Sequence, residues 1–362
     1  MTLVYASTGS AAFNAWLDDI FGRIAVDTRD ALGGAFHALV IGGGYGRGEG
    51  AAVPGEGGER PYNDFDFVLV VERKARGMME ALAPVQARYH AEAGVHVDYS
   101  RPLTVEDIRC WPHWLMWYDL LWGHRVVLGP EDVLTANAPA RVWEAPPLTE
   151  ATRLLLNRGA GLLWAWRVLR GAASSEEADF VPRNGHKCAL ALGDALLLAH
   201  GRYATAYAGR KEAYAGLASE AAEVGALGLA EAYGQALDYR LHPVACPGGV
   251  FDEARLGELA RWWGAVLLLV EARRMGRHWD SVADYAAWRG IREREEHGGA
   301  RLLRNVVRNA QAGRLSWVYP RERLYRHLPG LLGLTDMPAA DWASSNWAAA
   351  GASFLRQWER YN

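Results

Sequence analysis

The sequence predicts an α+β fold: a mixed sheet with flanking helices over residues 1–147, followed by an all-helical domain over residues 148–362. A length of 362 residues exceeds one ordinary core, because domains commonly run to about 100–200 residues. Half of the residues are hydrophobic and 22% are charged, a balance that can bury a large core and excludes a mostly disordered chain. Short apolar runs that end at glycines occupy only the first part, whereas helical patterns rich in Ala, Leu, Arg and Trp fill the remainder.

The spacing of Phe13, Trp16, Leu17, Ile20, Phe21 and Ile24 predicts an amphipathic helix from Ala11 to Leu32, ended by Gly33-Gly34. A strand, Phe36 to Ile41, runs into the glycine-rich GGGYGRGEG, residues 42–50. The polar stretch AAVPGEGGERPYN reads as a loop that leads to a second strand, Asp64 to Val71. Met78 to His90 is expected to be a helix, Val95 to Ser100 a strand, Val105 to Leu121 one Trp-rich helix and Arg125 to Gly129 a last strand. Beyond the Pro-containing ANAPARVWEAPPLT, helices begin at Glu150 behind the potential cap Thr149. Turns are expected near Gly171–Ser175, Gly201, His242–Gly249, Gly276–His278 and Gly313–Pro320.

With 39 basic and 42 acidic residues the formal charge is −3, which leaves no global footprint for nucleic acid or an anionic membrane. The N-terminus carries no basic region followed by an apolar run, so no export signal is expected and the cytoplasm is the expected compartment. The apolar stretch from Trp262 to Val270 is too short for a membrane span and reads as a core helix. Cys110, Cys188 and Cys246 form neither a paired framework nor a zinc spacing and are expected to be buried or incidental thiols.

The chemistry is most legible in three carboxylates. Asp64 and Asp66, two apart on a strand, point to one side while Phe65 and Phe67 point to the other. Two acids beside a core are unfavourable unless a cation neutralises them, and hard oxygen ligands suit Mg²⁺ carrying a phosphate-bearing substrate. Asp98, on a neighbouring strand, would complete a two-metal clamp for phosphoryl or nucleotidyl transfer. Upstream, Gly42-Gly43-Gly44 lets the backbone approach a ligand, and Arg47 supplies a fork of donors beside it. No Gly-Lys-Ser/Thr closes the glycine run, so a P-loop is not expected. The AAVPGEGGERP that follows cannot be the helix of a dinucleotide fingerprint.

In order along the chain, GGYGRGE (Gly43 to Glu49), DFDF (Asp64 to Phe67) and HVDY (His96 to Tyr99) resemble the nucleotidyltransferase superfamily of the DNA polymerase β type, over about residues 36–130. WYDLLWGHRVVLGP is similar to the closing helix and strand of its small-molecule branch. The resemblance implies that Gly43 and Gly44 hold a nucleoside triphosphate, with ATP the first candidate. It further implies that Asp64 and Asp66 bind two Mg²⁺, or Mn²⁺, and that Asp98 completes the metal site near the attacking hydroxyl. Nineteen residues separate Gly44 from Asp64, longer than usual in that family, so 51–62 is expected to be an insertion.

A helical second domain often closes over the nucleotide in this family. The helix opened by Pro182 is the candidate, with Arg183 and Lys187 on one face as triphosphate ligands and Asp194 as a substrate or structural partner. The expected activity is therefore Mg²⁺-dependent transfer of a nucleoside monophosphate to a hydroxyl of a small-molecule acceptor. Modification of a protein or tRNA is the alternative acceptor class, and a silent nucleotide-binding or toxin–antitoxin module the alternative function. Tyr203, the tryptophans Trp111, Trp114, Trp117 and Trp122, and the Arg301, Arg304, Arg308 face are expected to serve packing or solvation. His96 is expected to neighbour Asp98 without being a ligand.

Overall fold

The computed structural model of the chain describes residues 3–55, 57–175, 179–243, 251–335 and 346–361. The chain is α+β, mostly helical with a small mixed sheet. Two compact units divide it: Met1–Pro147 with Tyr203–Glu212 and Leu237–Pro247, and Leu148–Arg202 with Ala213–Ala236 and Gly248–Asn362. Among the described residues no helix is long and apolar enough to cross a membrane.

The first unit opens with α1 (Ala11–Leu32), whose N-cap Ser10 accepts a hydrogen bond from the Phe13 N–H and which stops at Gly33. β1 (Phe36–Ile41) runs straight into a short helix, α2 (Gly43–Arg47). β2 (Ala52–Gly55) and β3 (Gly58–Pro61) pair as an antiparallel hairpin, followed by β4 (Phe65–Val71), α3 (Met78–Ala93) and β5 (Val97–Tyr99). α4 (Val105–Arg109), α5 (Leu115–Trp122) and β6 (Arg125–Leu128) complete the series.

The main sheet has the order β5-β4-β1-β6. β1 is antiparallel to β4 and β6, and β4 is parallel to β5. Alternation along the strands divides the apolar side chains between two cores. Phe65, Phe67, Leu69, Val71 and Val97 pack with Phe21, Ile24, Leu82 and Tyr89 of α1 and α3. Ala38, Val40 and Val70 pack with Ile108, Trp111, Leu120 and Leu121.

Two expectations need correction here. The polar stretch after the glycines is not an unstructured loop: Ala52 to Pro61 forms the β2–β3 ladder, Ala52 opposite Pro61 and Gly55 opposite Gly58. Its glycines and lack of an apolar face conceal the pairing of two short strands. The single Trp-rich helix is two, α4 and α5, with Pro112 in the gap, where a missing N–H and a fixed φ interrupt the helical ladder. Trp111 and Trp117 stack at 4.2 Å between centroids beside the second core of this unit.

The later chain is helical throughout its described elements: α6 (Leu148–Leu169), α7 (Phe180–Ala199), α8 (Arg210–Glu220), α9 (Ala222–Gly225), α10 (Ala230–Leu241), α11 (Glu253–Met275), α12 (Val282–Ala287), α13 (Ala300–Ala310), α14 (Arg321–Leu331) and α15 (Trp347–Tyr361). In the second unit α6, α7 and α11 pack together and bury Leu155, Leu163, Leu192, Leu196, Trp263 and Leu267. The Trp263 indole N–H donates to the Leu155 carbonyl at 2.8 Å. The apolar run 262–270 is thus a core helix segment. Cys188 is buried and Cys110 exposed; Cys246 and most of the expected 242–249 turn lie outside the described residues.

Candidate functional site

Period-two alternation sets the site. Phe65 and Phe67 bury themselves in the α1/α3 core, so Asp66 between them is left on the opposite face, and Val97 and Tyr99 impose the same choice on Asp98. The parallel β4–β5 register then sets Asp66 directly opposite Asp98. Neither carboxylate takes part in a hydrogen bond or salt bridge among the described residues. Like charges directly opposite on adjacent strands repel. Solvent reaches Asp66, yet desolvation by the surrounding protein, then Asp64 and Asp98, push its pKa up, with Arg240 and Arg47 acting in the opposite sense.

Asp64 sits just before β4 and behaves differently, its Oδ1 accepting the His96 N–H at 3.4 Å. Among the described residues no three His, Cys, Asp or Glu side chains are gathered closely enough to hold a metal ion as they stand. The donor chemistry of Asp66 and Asp98 nonetheless fits a hard divalent cation: two carboxylates in register, with no bonded partner among the described residues. His96 stacks on His90 at 4.9 Å, which accounts for its ring without a metal.

The glycine turn closes against this face. The Gly42 N–H donates to the Asp66 carbonyl at 2.9 Å, locking the end of β1 onto β4. Gly43 has φ +60°, and a Cβ there would lie 2.8 Å from Asp66 Oδ2. Only glycine tolerates both the left-handed backbone and that approach. The turn therefore brings main chain up against Asp66.

Arg47 is anchored rather than free. Its Nε donates to Glu49 Oε2 at 3.2 Å, and Glu49 Oε1 accepts the N–H groups of Tyr207 at 2.7 Å and Ala208 at 3.1 Å. Glu49, buried at 8% exposure, thus ties the 203–212 segment to the glycine turn within the first unit. Three guanidinium groups surround the Tyr207 ring: Arg210 at 4.4 Å, Arg47 at 5.0 Å and Arg240 at 5.4 Å from its centroid. Burial would raise the Tyr207 phenol, but Arg240, Arg47 and Arg210 outweigh it and the net direction is down.

Tyr203 is held within the protein, its hydroxyl donating to Asp119 at 3.0 Å and accepting from Arg210 Nη2 at 3.0 Å. Arg183 and Lys187 lie on α7 in the second unit, half-buried and exposed respectively. Asp194, on the same helix, is buried and accepts the Tyr233 hydroxyl at 2.8 Å, a packing role.

Sequence reasoning missed Arg240 and Tyr207. Nothing local marks them: Arg240 lies 196 positions after Gly44 in a helical pattern, and only the fold returns it to the glycine turn, with Nη2 3.2 Å from where a Gly44 Cβ would stand. Compared with known proteins, the chain matches no protein-family model and no curated protein.

Proposed function

We propose that the first unit is a nucleotidyltransferase domain that moves a nucleoside monophosphate from a triphosphate, ATP being the first candidate, to a hydroxyl of a small-molecule acceptor. The observation that carries the reading is the pair Asp66 and Asp98, in register on one sheet face and unpaired, beside a glycine turn that touches Asp66. Such a pair costs stability if it stays empty and is explained by a cationic ligand. The balanced overall charge favours a small acceptor over nucleic acid.

In this reading Asp66 and Asp98, joined by Asp64, would hold Mg²⁺ or Mn²⁺, which when bound neutralises the triphosphate and polarises the reacting phosphate. Asp98 takes the proton of the acceptor hydroxyl. The hydroxyl oxygen bonds to the α-phosphorus, the bond from that phosphorus to the bridging oxygen breaks, and pyrophosphate leaves. Gly43 and Gly44 keep side chains out of the space next to Asp66. Incubating the purified chain with each α-labelled triphosphate, Mg²⁺ and a metabolite pool tests the reading: labelled product with stoichiometric pyrophosphate supports it, and no product from any triphosphate refutes it.

A further inference from the structure

The three guanidinium groups around Tyr207 differ in what they are bonded to. Arg47 donates to Glu49. Arg210 donates to the carbonyls of Ala204, Thr205 and Ala206 and to the Tyr203 hydroxyl. Arg240 reaches only the Tyr207 hydroxyl, through Nε at 3.4 Å, and its Nη1 is shut off from solvent with no partner among the described residues. A buried donor left unbonded costs about 1–3 kcal/mol, and more when charged. That cost is an observation calling for an acceptor.

The position names the acceptor's chemistry. Nη2 lies against Gly44, 3.2 Å from where its Cβ would be, so a side chain at 44 would meet the guanidinium. Glu49 fixes the Tyr207 segment through two backbone N–H groups, and the Tyr207 ring supports the Arg240 guanidinium from one side. A planar fork held rigid, with one edge unbonded, matches an anion that presents two oxygens at once. Resting on the nucleotidyltransferase reading of the same unit, we infer that Arg240 is a phosphate-binding residue that takes oxygens of the polyphosphate beside Gly44. Of the three guanidinium groups around Tyr207, Arg240 would then be the one that keeps a donor without a protein partner among the described residues.

The test uses the full chain, Mg²⁺ and inorganic tripolyphosphate, followed by calorimetry. Wild type should bind, and Arg240→Gln should bind at least tenfold more weakly, about 1.4 kcal/mol, with an unchanged unfolding transition. Equal affinities, or no binding by wild type, overturn the inference. Should Arg240→Gln fail to fold, a structure of wild type with tripolyphosphate decides: an oxygen within hydrogen-bond distance of Arg240 Nη1 supports it, and an anion bound elsewhere overturns it. Failure here is separable from failure of the transferase reading. Tripolyphosphate bound through Arg240 without any nucleotidyl transfer keeps the inference and loses the enzyme. Transfer that is indifferent to Arg240→Gln does the reverse.

Discussion

Two sets of carboxylates, one in each unit, are treated in opposite ways. In the second unit Glu293 is fully buried and fully engaged: Arg153 Nη2 at 2.8 Å, Arg321 Nη1 at 3.3 Å and the Tyr325 hydroxyl at 2.8 Å all point at it. Glu271 receives a two-pronged contact from Arg274, both distances 2.7 Å, and Glu322 accepts the N–H groups of Arg292 and Glu293 at 2.7 Å each. In the first unit Asp66 and Asp98 stand opposite each other with no bonded partner among the described residues. The three glutamates are buried and paired, whereas Asp66 and Asp98 are open to solvent and, among the described residues, have no bonded partner. Pairing marks carboxylates that hold the fold; on the proposed reading, the two without partners serve a ligand.

The contrast breaks most sharply at Asp66. Asp66→Asn should lower nucleotidyl transfer by about a thousandfold or more, the scale of losing a metal clamp, while the fold is retained and is at least as stable, because a like-charge repulsion is removed. Undiminished transfer would dissolve the distinction between the two regions. Glu293→Gln should do the opposite: about 3–5 kcal/mol of destabilisation in urea unfolding, since the half-buried Arg321 loses its carboxylate partner and Arg153 loses one of its carboxylate partners, and chemistry affected only through the loss of folded protein.

A third expectation replaces a close approach. Gly43→Ala should cost about 1–2 kcal/mol of stability from its left-handed backbone and should lower activity as well, since the new methyl meets Asp66 Oδ2. An alanine variant with wild-type stability and turnover would remove the glycine turn from the site.

The smallest effect is in acid, and its sign separates the regions. Glu293 lies below the usual carboxylate range: burial opposes this, but Arg321 and Arg153 prevail. Its contribution to stability is present above the unfolded value and is lost as pH falls through the lowered one. Asp66 is raised, chiefly by desolvation and then by Asp64 and Asp98. Its contribution is present below the unfolded value and is lost as pH rises through the raised one. Unfolding curves across the acid range should therefore lose opposite slopes in Glu293→Gln and Asp66→Asn, and divalent-metal affinity should weaken as pH falls through the Asp66 pKa.

What could be read from the sequence follows range of interaction. Helix 11–32 and strand 36–41 were legible to their ends, because apolar period and glycine stops are local. So was the side taken by Asp66 between Phe65 and Phe67, since alternation needs no knowledge of the fold. That Asp98 lies opposite Asp66 depends on strand register, which the DxD and HVDY strings only hint at. The β2–β3 hairpin stayed hidden because both strands are short and rich in glycine and polar residues. Arg240, Tyr207 and the bracing role of Glu49 were illegible, since a contact across 158 or more positions leaves no periodic trace.

If Asp66 and Asp98 lack partners among the described residues because they serve a reaction, Asp98→Asn should separate nucleotide binding from turnover. A module that only binds a nucleotide has little use for a second-strand acid placed to accept a proton, whereas transfer does need it, at about 10²–10⁴ in rate. Calorimetry with Mg²⁺ and the preferred triphosphate, set beside product formation by the same preparation, gives the comparison. The account expects Asp98→Asn to keep measurable nucleotide binding and to lose nearly all transfer. Wild type that binds the triphosphate without forming product, matched in both respects by Asp98→Asn, would contradict it.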